Sequence, residues 1–278
     1  MRLDGKVALI TGAGSGIGRA LAVEGARRGL ALYLVGRRLP MLEQTRSRLN
    51  PGAFAQCIEA DVTLADGRLT ILEAVEQGGG NLDILINNAG CISNGSLLAS
   101  LDAEVTRMVD TNLIAPILLT RDLIPLLKQS QGARIVNVGS VYGDIAAPGF
   151  AVYAATKFGL RGLSDALRRE LAVEGIGVTY VAPRGTQTEG IRSVSAALQR
   201  QGIVLDDPTK VAGWIWSAIE RERRSAYTPT VERLFIAIQR MFPSLIDRAL
   251  RKSRQGQPGG ASAVASDSAG AENSTAPR

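Results

Sequence analysis

The chain has 278 residues, of which 45% are hydrophobic and 21% are charged, and it carries a formal net charge of +6. This composition is ordinary for a globular protein and excludes fibrous, membrane-spanning and disulfide-stapled classes. The basic residues are mostly arginines scattered along the chain, so we expect a solvated basic surface and no nucleic-acid binding. The first apolar run, 7–10, is too short for a secretory leader, and the two cysteines form no disulfide framework, which predicts a cytoplasmic protein.

Short apolar runs rich in β-branched residues alternate with amphipathic stretches along most of the chain. The apolar runs are typical of buried strands and predict strands at 6–11, 31–35, 54–58, 82–87, 134–138 and 178–181. The amphipathic stretches predict helices at 18–28, 39–49, 64–77, 101–128 and 152–174. This alternation indicates βαβ units. The predicted fold class is therefore α/β, a single-domain doubly wound parallel sheet that binds ligands at the carboxyl ends of its strands.

The C-terminal part of the chain has less regular patterning. Residues 184–207 lack periodicity, which is typical of a binding loop, and a helix follows at 208–224. Residues 231–254 predict an amphipathic helical extension that is broken at Pro243. The segment 255–278 is rich in Gly, Ala, Ser and Pro, which predicts a disordered tail.

A glycine-rich segment connects the first strand directly to the first helix. Its residues are Thr11, Gly12, Ala13, Gly14, Ser15, Gly16, Ile17 and Gly18. Backbone N–H groups in such a loop approach a pyrophosphate closely, and a helix N-terminus favours negative charge. Its place within a βαβ unit predicts a dinucleotide site. The usual G-x-G-x-x-G spacing fails because Ile17 stands in its sixth position, and the pattern present is T-G-x-x-x-G-x-G.

The chain contains no histidine, which excludes histidine acid–base catalysis and metal sites built on histidine. Tyr153 and Lys157 lie four positions apart on a predicted helix, so the phenol and the ammonium share one face. A nearby cation favours the phenolate and should lower the pKa of Tyr153 towards physiological pH, which suits a proton donor. Ser140 ends the fifth predicted strand, where its hydroxyl can hydrogen-bond a carbonyl oxygen that gains negative charge.

The run Asn-Asn-Ala-Gly at 87–90 closes the fourth strand. Together with the glycine spacing and the serine, tyrosine and lysine, it resembles the classical short-chain dehydrogenase/reductase family over about residues 5–230. The resemblance implies a Rossmann-like catalytic domain at 1–230 that transfers hydride between a nicotinamide cofactor and a small-molecule carbonyl or secondary alcohol. It implies a homodimer or homotetramer, and it implies that Asn112 holds a water chain to Lys157. The implied catalytic residues are Asn112, Ser140, Tyr153 and Lys157.

The end of the second strand indicates which nicotinamide cofactor is used. An acidic residue there hydrogen-bonds the ribose 2′-hydroxyl of NAD, whereas an arginine accommodates the 2′-phosphate of NADP. Gly36 stands in the acidic position and Arg37 follows it, which favours NADP(H) over NAD(H). The resemblance assigns the adenine contact to Asp61 and the backbone of Val62. The expected cofactor contacts are Gly12, Ser15, Gly16, Ile17, Gly18, Arg37, Asp61, Val62, Asn88, Gly90, Tyr153, Lys157, Thr186 and Thr188.

The chain departs from the family pattern after the sixth strand, where Arg184 replaces the usual glycine while Thr188 retains the threonine. Arg184 either recognises an anionic substrate group or points to solvent. The apolar face of the extension suggests an apolar or lipid-like substrate. Residues 231–251 are too short and too charged to span a bilayer. They cap a substrate pocket or mediate assembly, and peripheral contact with a membrane surface is the less favoured alternative.

Two rival interpretations share parts of this pattern. A non-catalytic NADPH-binding sensor or scaffold on the same fold needs no acid–base group, so the complete catalytic set argues against it. A sugar-nucleotide epimerase or dehydratase shares the Tyr-x-x-x-Lys spacing, but its glycine spacing and its longer C-terminal substrate domain are missing here. We therefore expect an oxidoreductase.

Overall fold

A computed structural model of the protein describes residues 1–189, 191, 204–228 and 232–248. Most of the predicted loop at 184–207, residues 249–254 and the predicted tail at 255–278 lie outside the described residues. Within them, one sheet of parallel strands has the order β3-β2-β1-β4-β5-β6-β7. The strands are β1 (Val7–Thr11), β2 (Ala31–Gly36), β3 (Ala55–Glu59), β4 (Ile84–Asn87), β5 (Arg134–Val138), β6 (Gly177–Ala182) and β7 (Ser225–Tyr227). The predicted doubly wound parallel sheet is confirmed.

Helices cover both faces of this sheet. They are α1 (Gly16–Arg27), α2 (Leu39–Arg46), α3 (Ala65–Gln77), α4 (Asp102–Val109), α5 (Ala115–Leu127), α6 (Ala151–Glu170), α7 (Pro208–Glu220) and α8 (Glu232–Met241). Along β1, Ala8 and Ile10 belong to the core shared with α1 and α7, whereas Leu9 belongs to the core shared with α3 and α5. Successive side chains of a strand alternate between the two faces, so each strand contributes to both cores.

Trp216 closes the core between α1 and α7. Its side chain is fully buried, and its indole N–H donates to the carbonyl of Leu21 at 2.9 Å. Gly25 permits the close approach of the two helices, because a Cβ added there would lie 2.9 Å from a ring carbon of Trp216. Asp207 caps α7 by accepting the N–H of Thr209 at 2.6 Å.

The structure corrects the predicted elements at two places. The helix predicted at 101–128 is interrupted by a π-helical segment, Asp110–Ile114, which separates α4 from α5. β7 is absent from the prediction because Ser225–Tyr227 has no apolar run, and it forms only by pairing with β6. A strand of this length depends on its neighbour more than on its own residues.

The C-terminal extension is helical over its described residues. α8 ends at Met241, Phe242 breaks the helix, and Pro243 begins a further helix at 243–248. The break therefore lies one residue before its predicted position, since proline is well suited to the first turn of a helix. None of the helices among the described residues combines the length and the apolar character needed to cross a bilayer.

Candidate active site

A cavity of about 870 Å³ opens at the carboxyl ends of the strands, where the strand order turns between β1 and β4. Open α/β sheets bind their ligands at this position. The cavity wall contains every predicted cofactor contact and three of the predicted catalytic residues: Gly12, Ser15, Gly16, Ile17, Gly18, Arg37, Asp61, Val62, Asn88, Gly90, Ser140, Tyr153, Lys157, Thr186 and Thr188. Asn112, the fourth catalytic candidate, lies behind this wall.

The glycine loop forms a cradle between β1 and α1. Gly12 and Gly16 have φ values of +66° and +51°, which are left-handed conformations that favour glycine. A Cβ added to Gly18 would lie 2.2 Å from the carbonyl oxygen of Gly12, so only glycine lets α1 begin this close to β1. The first turn of α1 contains no acidic side chain, and Gly16, Ile17 and Gly18 line the cavity beside Ser15. This cradle fits the pyrophosphate of a dinucleotide.

Thr11 joins the ends of β1 and β4. Its hydroxyl accepts the N–H groups of Asn88 and Ala89, both at 2.9 Å, and donates to the carbonyl of Ile86 at 3.3 Å. The Asn88 amide in turn donates to the carbonyl of Thr11 at 2.8 Å. The sequence interpretation included Thr11 in the glycine pattern but gave its side chain no role. The available signal was its position as the last residue of β1, directly before the glycine loop.

A buried polar chain fixes α5 and α6 on the sheet. The Asn87 amide donates to Asn137 Oδ1 at 2.9 Å and to the Thr120 hydroxyl at 3.0 Å. The Asn137 amide donates to the Ser164 hydroxyl on α6 at 2.9 Å. Buried polar groups that find their partners specify one arrangement of the core. This chain therefore sets the position of α6, the helix that carries Tyr153.

Two arginines stand at the rim of the cavity beyond β2. Arg37 is exposed, with Nη1 3.9 Å from Asp61 Oδ2, and Arg38 also borders the cavity, 3.9 Å from Glu189. The other oxygen of Asp61 accepts the N–H and the hydroxyl of Thr63, at 2.9 and 2.7 Å. Arg38 was not predicted as a site residue, although it directly follows Arg37. The rim thus presents two cations around a position without a side chain at Gly36.

Ser140, Tyr153 and Lys157 come together on the cavity wall. Ser140 follows β5, and its Oγ accepts the N–H of Tyr142 at 3.2 Å. The same hydroxyl lies close enough to the phenol of Tyr153 on α6 to lower the pKa of that phenol. Lys157 lies one helical turn further on, with Nζ 5.7 Å from the centre of the Tyr153 ring. Its ammonium donates to the carbonyl of Val138 at 3.0 Å. A hydroxyl, a phenol and a cation are thereby placed around one point where a substrate oxygen can bind.

The electrostatics of this group correct one expectation. Burial raises the pKa of Tyr153 to about 12, and the hydrogen bond from Ser140 opposes this rise. Burial also lowers the pKa of Lys157 to about 8. The predicted lowering of the Tyr153 pKa by Lys157 is therefore wrong for the protein alone. The reason is that desolvation penalises both charged forms, and the ammonium lies over the ring face and hydrogen-bonds Val138.

Asn112 supports the site from the centre of the π-helical segment. Its Oδ1 accepts the N–H of Cys91 at 2.8 Å, and its Nδ2 donates to the carbonyl of Cys91 at 2.8 Å and to the Thr156 hydroxyl at 3.2 Å. The side chain thus joins the backbone after β4 to α6. π-helical turns often occur at functional sites because they aim one side chain out of register. The water chain between Asn112 and Lys157 stays a prediction.

Arg184 closes the base of the predicted loop. Its guanidinium forms a two-pronged ion pair with Asp206, with Nε–Oδ2 and Nη2–Oδ1 distances of 2.8 and 2.6 Å. The backbone adds two bonds, from the Asp206 N–H to Gly185 at 2.8 Å and from the Gln187 N–H to Asp206 at 2.9 Å. Arg184 also borders the cavity. Arg184 thus pairs with an internal carboxylate, which neither of the two sequence alternatives anticipated.

The two threonines after Arg184 reach the cofactor side of the cavity. Thr186 is buried, and its hydroxyl donates to the carbonyl of Arg184 at 3.0 Å. Thr188 packs over the glycine loop, because a Cβ added to Gly16 would lie 2.8 Å from its methyl group. The strand-to-loop segment after β6 is thus held against α1.

The cavity has an apolar side next to Tyr153. The Tyr142 ring packs against Tyr153 and Phe150, with ring centres 6.1 and 5.0 Å apart, and Ile92 belongs to the same cluster. The C-terminal extension contributes further apolar lining through Phe235 and Ile246. The site therefore pairs a polar reaction point with a mostly apolar surface, as ligand pockets commonly do.

A buried carboxylate anchors the extension beside this apolar side. Asp144, directly after the turn Val141–Gly143, accepts a 2.8 Å hydrogen bond from Arg240 on α8 and also pairs with Arg161 on α6. The hydroxyl of Tyr227 lies 3.3 Å from the same oxygen. The sequence interpretation missed this cluster, whose members come from four separate segments. It holds α8 against the turn that follows Ser140.

Comparisons with known proteins agree with this geometry. Residues 6–199 match the short chain dehydrogenase family. The chain is 34% identical to the 3-oxoacyl-[acyl-carrier-protein] reductase of Escherichia coli over 236 residues, which is 85% of this chain and 94% of that protein.

Two solved structures are similar as well. A short-chain dehydrogenase/reductase of Burkholderia phymatum in complex with NAD has a TM-score of 0.81 at 26% identity, covering 95% of this chain and 100% of its own. A 3-ketoacyl-(acyl-carrier-protein) reductase of Brucella melitensis complexed with NADH has a TM-score of 0.74 at 29% identity, covering 81% of this chain and 96% of its own.

The chain belongs to the short-chain dehydrogenase/reductase family. It is accordingly an oxidoreductase that acts on carbonyl or alcohol groups of small molecules with a nicotinamide cofactor.

Proposed function

We propose that the protein interconverts a carbonyl and a secondary alcohol, prefers NADP(H), and acts on an apolar or lipid-like substrate. The observation that carries this proposal is the pairing of Ser140 with Tyr153, with Lys157 beside them, on the wall of one cavity that also contains the glycine cradle. A non-catalytic sensor of the cofactor has no use for this pair.

Each side chain has a separate task in the proposed reaction. A bound nicotinamide supplies the hydride that the carbonyl carbon receives. The hydroxyls of Ser140 and Tyr153 hydrogen-bond the substrate oxygen and stabilise the negative charge that develops on it. The Tyr153 phenol then gives its proton to that oxygen, and in the oxidative direction the phenolate takes it back. Lys157, with Nζ 5.7 Å from the ring centre, would bind the nicotinamide ribose beside the phenol.

The preference for NADP(H) rests on the rim beyond β2. A 2′-phosphate carries two negative charges and needs cationic hydrogen-bond donors, which Arg37 and Arg38 supply there. Gly36 adds no carboxylate that repels the phosphate. The family resemblance assigns the adenine contact to Asp61, whose Oδ2 lies 3.9 Å from Arg37 Nη1 at the same rim.

The apolar or lipid-like substrate rests on the cavity side formed by Ile92, Tyr142, Phe235 and Ile246. These residues surround the proposed reaction point with hydrocarbon surface, whose burial favours an apolar substrate by about 25 cal/mol for each Å² removed from water. The E. coli relative is named as a 3-oxoacyl-[acyl-carrier-protein] reductase. We therefore place 3-oxoacyl thioesters first among the candidate substrates.

A chain-length series tests this proposal. Purified protein receives NADPH or NADH together with 3-oxoacyl thioesters of increasing length and with small polar ketones, and oxidation of the cofactor is followed by absorbance. We expect kcat/KM to rise with chain length and to be higher with NADPH. Turnover that is fastest on polar ketones contradicts the substrate class, and a preference for NADH contradicts the cofactor.

Assembly and location are further parts of the proposal. We infer a homodimer or homotetramer in the cytoplasm, and both cysteines are free thiols in the structure, which suits a reducing compartment. Leu97, Leu98 and Leu101 expose apolar surface before α4 and offer a surface for assembly. Met241, Phe242 and Leu245 expose apolar surface on the extension, where peripheral contact with a membrane remains the less favoured alternative.

A further inference from the structure

Tyr180 on β6 hydrogen-bonds both backbone groups of the proposed catalytic serine. Its hydroxyl donates to the carbonyl of Ser140 at 3.1 Å and accepts the N–H of Ser140 at 3.4 Å. The whole Tyr180 side chain is buried, with an exposed fraction of 0%. A buried phenol needs hydrogen-bond partners, and here one residue supplies both of them.

Two glycines make room for this side chain. A Cβ added to Gly139 would lie 2.3 Å from the ring of Tyr180, and one added to Gly143 would lie 2.3 Å from its hydroxyl. Gly139 precedes Ser140 and Gly143 ends the turn that follows it. The glycines on both sides of Ser140 therefore leave the space that the Tyr180 side chain fills, and a larger residue at either position would displace that side chain.

The backbone of β6 and of the residue after it accepts hydrogen bonds from both neighbours of Ser140, whereas the N–H of Ser140 itself bonds to the Tyr180 side chain. The N–H of Gly139 donates to Val181 at 2.7 Å, and the N–H of Val141 donates to Pro183 at 3.2 Å. Between these two bonds, the N–H of Ser140 donates to the Tyr180 hydroxyl. Ser140 is thereby fixed in an extended conformation, with φ −165° and ψ 161°, and its Oγ accepts the N–H of Tyr142 at 3.2 Å. In this position the hydroxyl lies beside the phenol of Tyr153.

We propose that Tyr180 is a positioning residue for the reaction, which holds the backbone of Ser140 so that its hydroxyl reaches the substrate oxygen and Tyr153 together. This inference rests on the proposed function, because it requires that Ser140 stabilises charge on the substrate oxygen. Tyr180 itself lies behind Ser140 and acts through it. A displacement of about 1 Å in such a constellation lowers turnover by roughly a hundredfold.

The first test is Tyr180→Phe, which keeps the ring and removes only the hydroxyl. We expect kcat to fall by about tenfold to a hundredfold, with little change in KM and in the affinity for NADPH. The hydrogen bond from Ser140 lowers the pKa of Tyr153. Alcohol oxidation by the variant should therefore reach half of its maximal rate at a higher pH. The matched control is Tyr33→Phe, which removes the hydroxyl of another buried tyrosine, packed against Gly78 at the end of α3.

The decisive test is a double-mutant cycle with Ser140→Ala. If Tyr180 acts through the Ser140 hydroxyl, Tyr180→Phe costs little further activity once that hydroxyl is removed. The inference is overturned if the double variant loses activity by the product of the two single losses. It is also overturned if Tyr180→Phe alone has wild-type kcat. Near-normal turnover of Ser140→Ala alone overturns the proposed role of Ser140 instead, so the two failures are distinguishable.

A second variant covers the case in which Tyr180→Phe does not fold. Gly139→Ala keeps the Tyr180 hydroxyl but places a methyl group where the ring now lies. We expect the same loss of kcat at little-changed KM, and the same lack of further loss in the Ser140→Ala background. Wild-type kcat in Gly139→Ala, with the ring displaced in its crystal structure, overturns the inference.

Discussion

The Nζ of Lys157 lies 5.7 Å from the centre of the Tyr153 ring, and it donates a 3.0 Å hydrogen bond to the carbonyl of Val138. Lys157 is buried and Tyr153 is half-buried, and this desolvation penalises the charged form of each: the pKa of Tyr153 rises to about 12 and that of Lys157 falls to about 8. An oppositely charged pair in one site opposes this penalty, which means that phenolate and ammonium favour each other. The protonation state of Tyr153 therefore depends on whether Lys157 is charged.

The buried lysine makes stability depend on pH. Between its folded pKa of about 8 and its usual value of 10.5, Lys157 binds fewer protons in the folded state than in the unfolded state. The free energy of unfolding therefore rises with pH across this window, and the cost of burying the ammonium is fully present below it. We expect wild type to gain stability relative to Lys157→Met as pH rises from about 8 to about 10, where Tyr153 begins to titrate in the unfolded chain. Denaturant unfolding at several pH values measures this difference, and parallel curves for the two proteins contradict it.

The rim arginine determines the proposed cofactor preference. Arg37→Ala removes a cationic donor from the place assigned to the 2′-phosphate, and such a hydrogen bond contributes about 1.5–3 kcal/mol. We expect the ratio of kcat/KM for NADPH over NADH to fall by about tenfold or more, while the value for NADH stays constant. Arg27→Ala on α1 is the control, because Arg27 is exposed and its ion pair with Glu24 spans 3.9 Å. An equal loss for both cofactors argues against the assignment.

The glycine cradle tolerates no side chain at Gly18. A methyl group there meets the Gly12 carbonyl at 2.2 Å, so α1 must move away from β1. We expect Gly18→Ala to weaken cofactor binding and to destabilise the fold by about 1–3 kcal/mol, the usual cost of overpacking.

The matched control for that variant is Gly213→Ala on α7, where an added Cβ meets nothing within 4 Å. Alanine in a helix interior is more stable than glycine by about 0.5–1 kcal/mol. The control should therefore raise the melting temperature and leave cofactor affinity unchanged. If both variants bind the cofactor equally well, the cradle is not the pyrophosphate site.

The anchored extension should determine how tightly the protein binds long-chain substrates. Arg240→Gln removes the guanidinium charge that pairs with buried Asp144. This loosens α8 and with it Phe235 and Ile246, which line the cavity. We expect KM for the longest 3-oxoacyl thioesters to rise by roughly tenfold, in line with the loss of a few apolar contacts, while short substrates are unaffected. Arg248→Gln, which changes an exposed arginine of the following helix, is the control. An equal loss of activity for substrates of all chain lengths would mean that the substitution impairs folding and not the binding of long chains.

The sequence predicts the sheet and the centre of the site because local patterns carry both. Strand β5 is predicted at its observed bounds, since Arg134–Val138 is a continuous buried run. Tyr153 and Lys157 are predicted as neighbours because helical geometry places positions four apart on one face. Their pKa values were not predictable in the same way, because burial depends on residues distant in the chain.

Features that depend on distant residues escape such patterns. The pair of Arg184 and Asp206 joins residues 22 positions apart, and Tyr180 reaches Ser140 across 40 positions. Neither contact leaves a periodic trace in the sequence. The π-helical segment Asp110–Ile114 is likewise hidden, because its apolar spacing continues that of the helices on both sides.

The most direct test of the proposed proton transfer is Tyr153→Phe, compared with wild type for NADPH affinity and for turnover of the best 3-oxoacyl thioester. We expect unchanged NADPH affinity and a kcat reduced by about 10²- to 10⁴-fold, the range that a general acid contributes. A Tyr153→Phe variant that binds NADPH and turns over at a near-normal rate contradicts the assignment of Tyr153 as the proton donor.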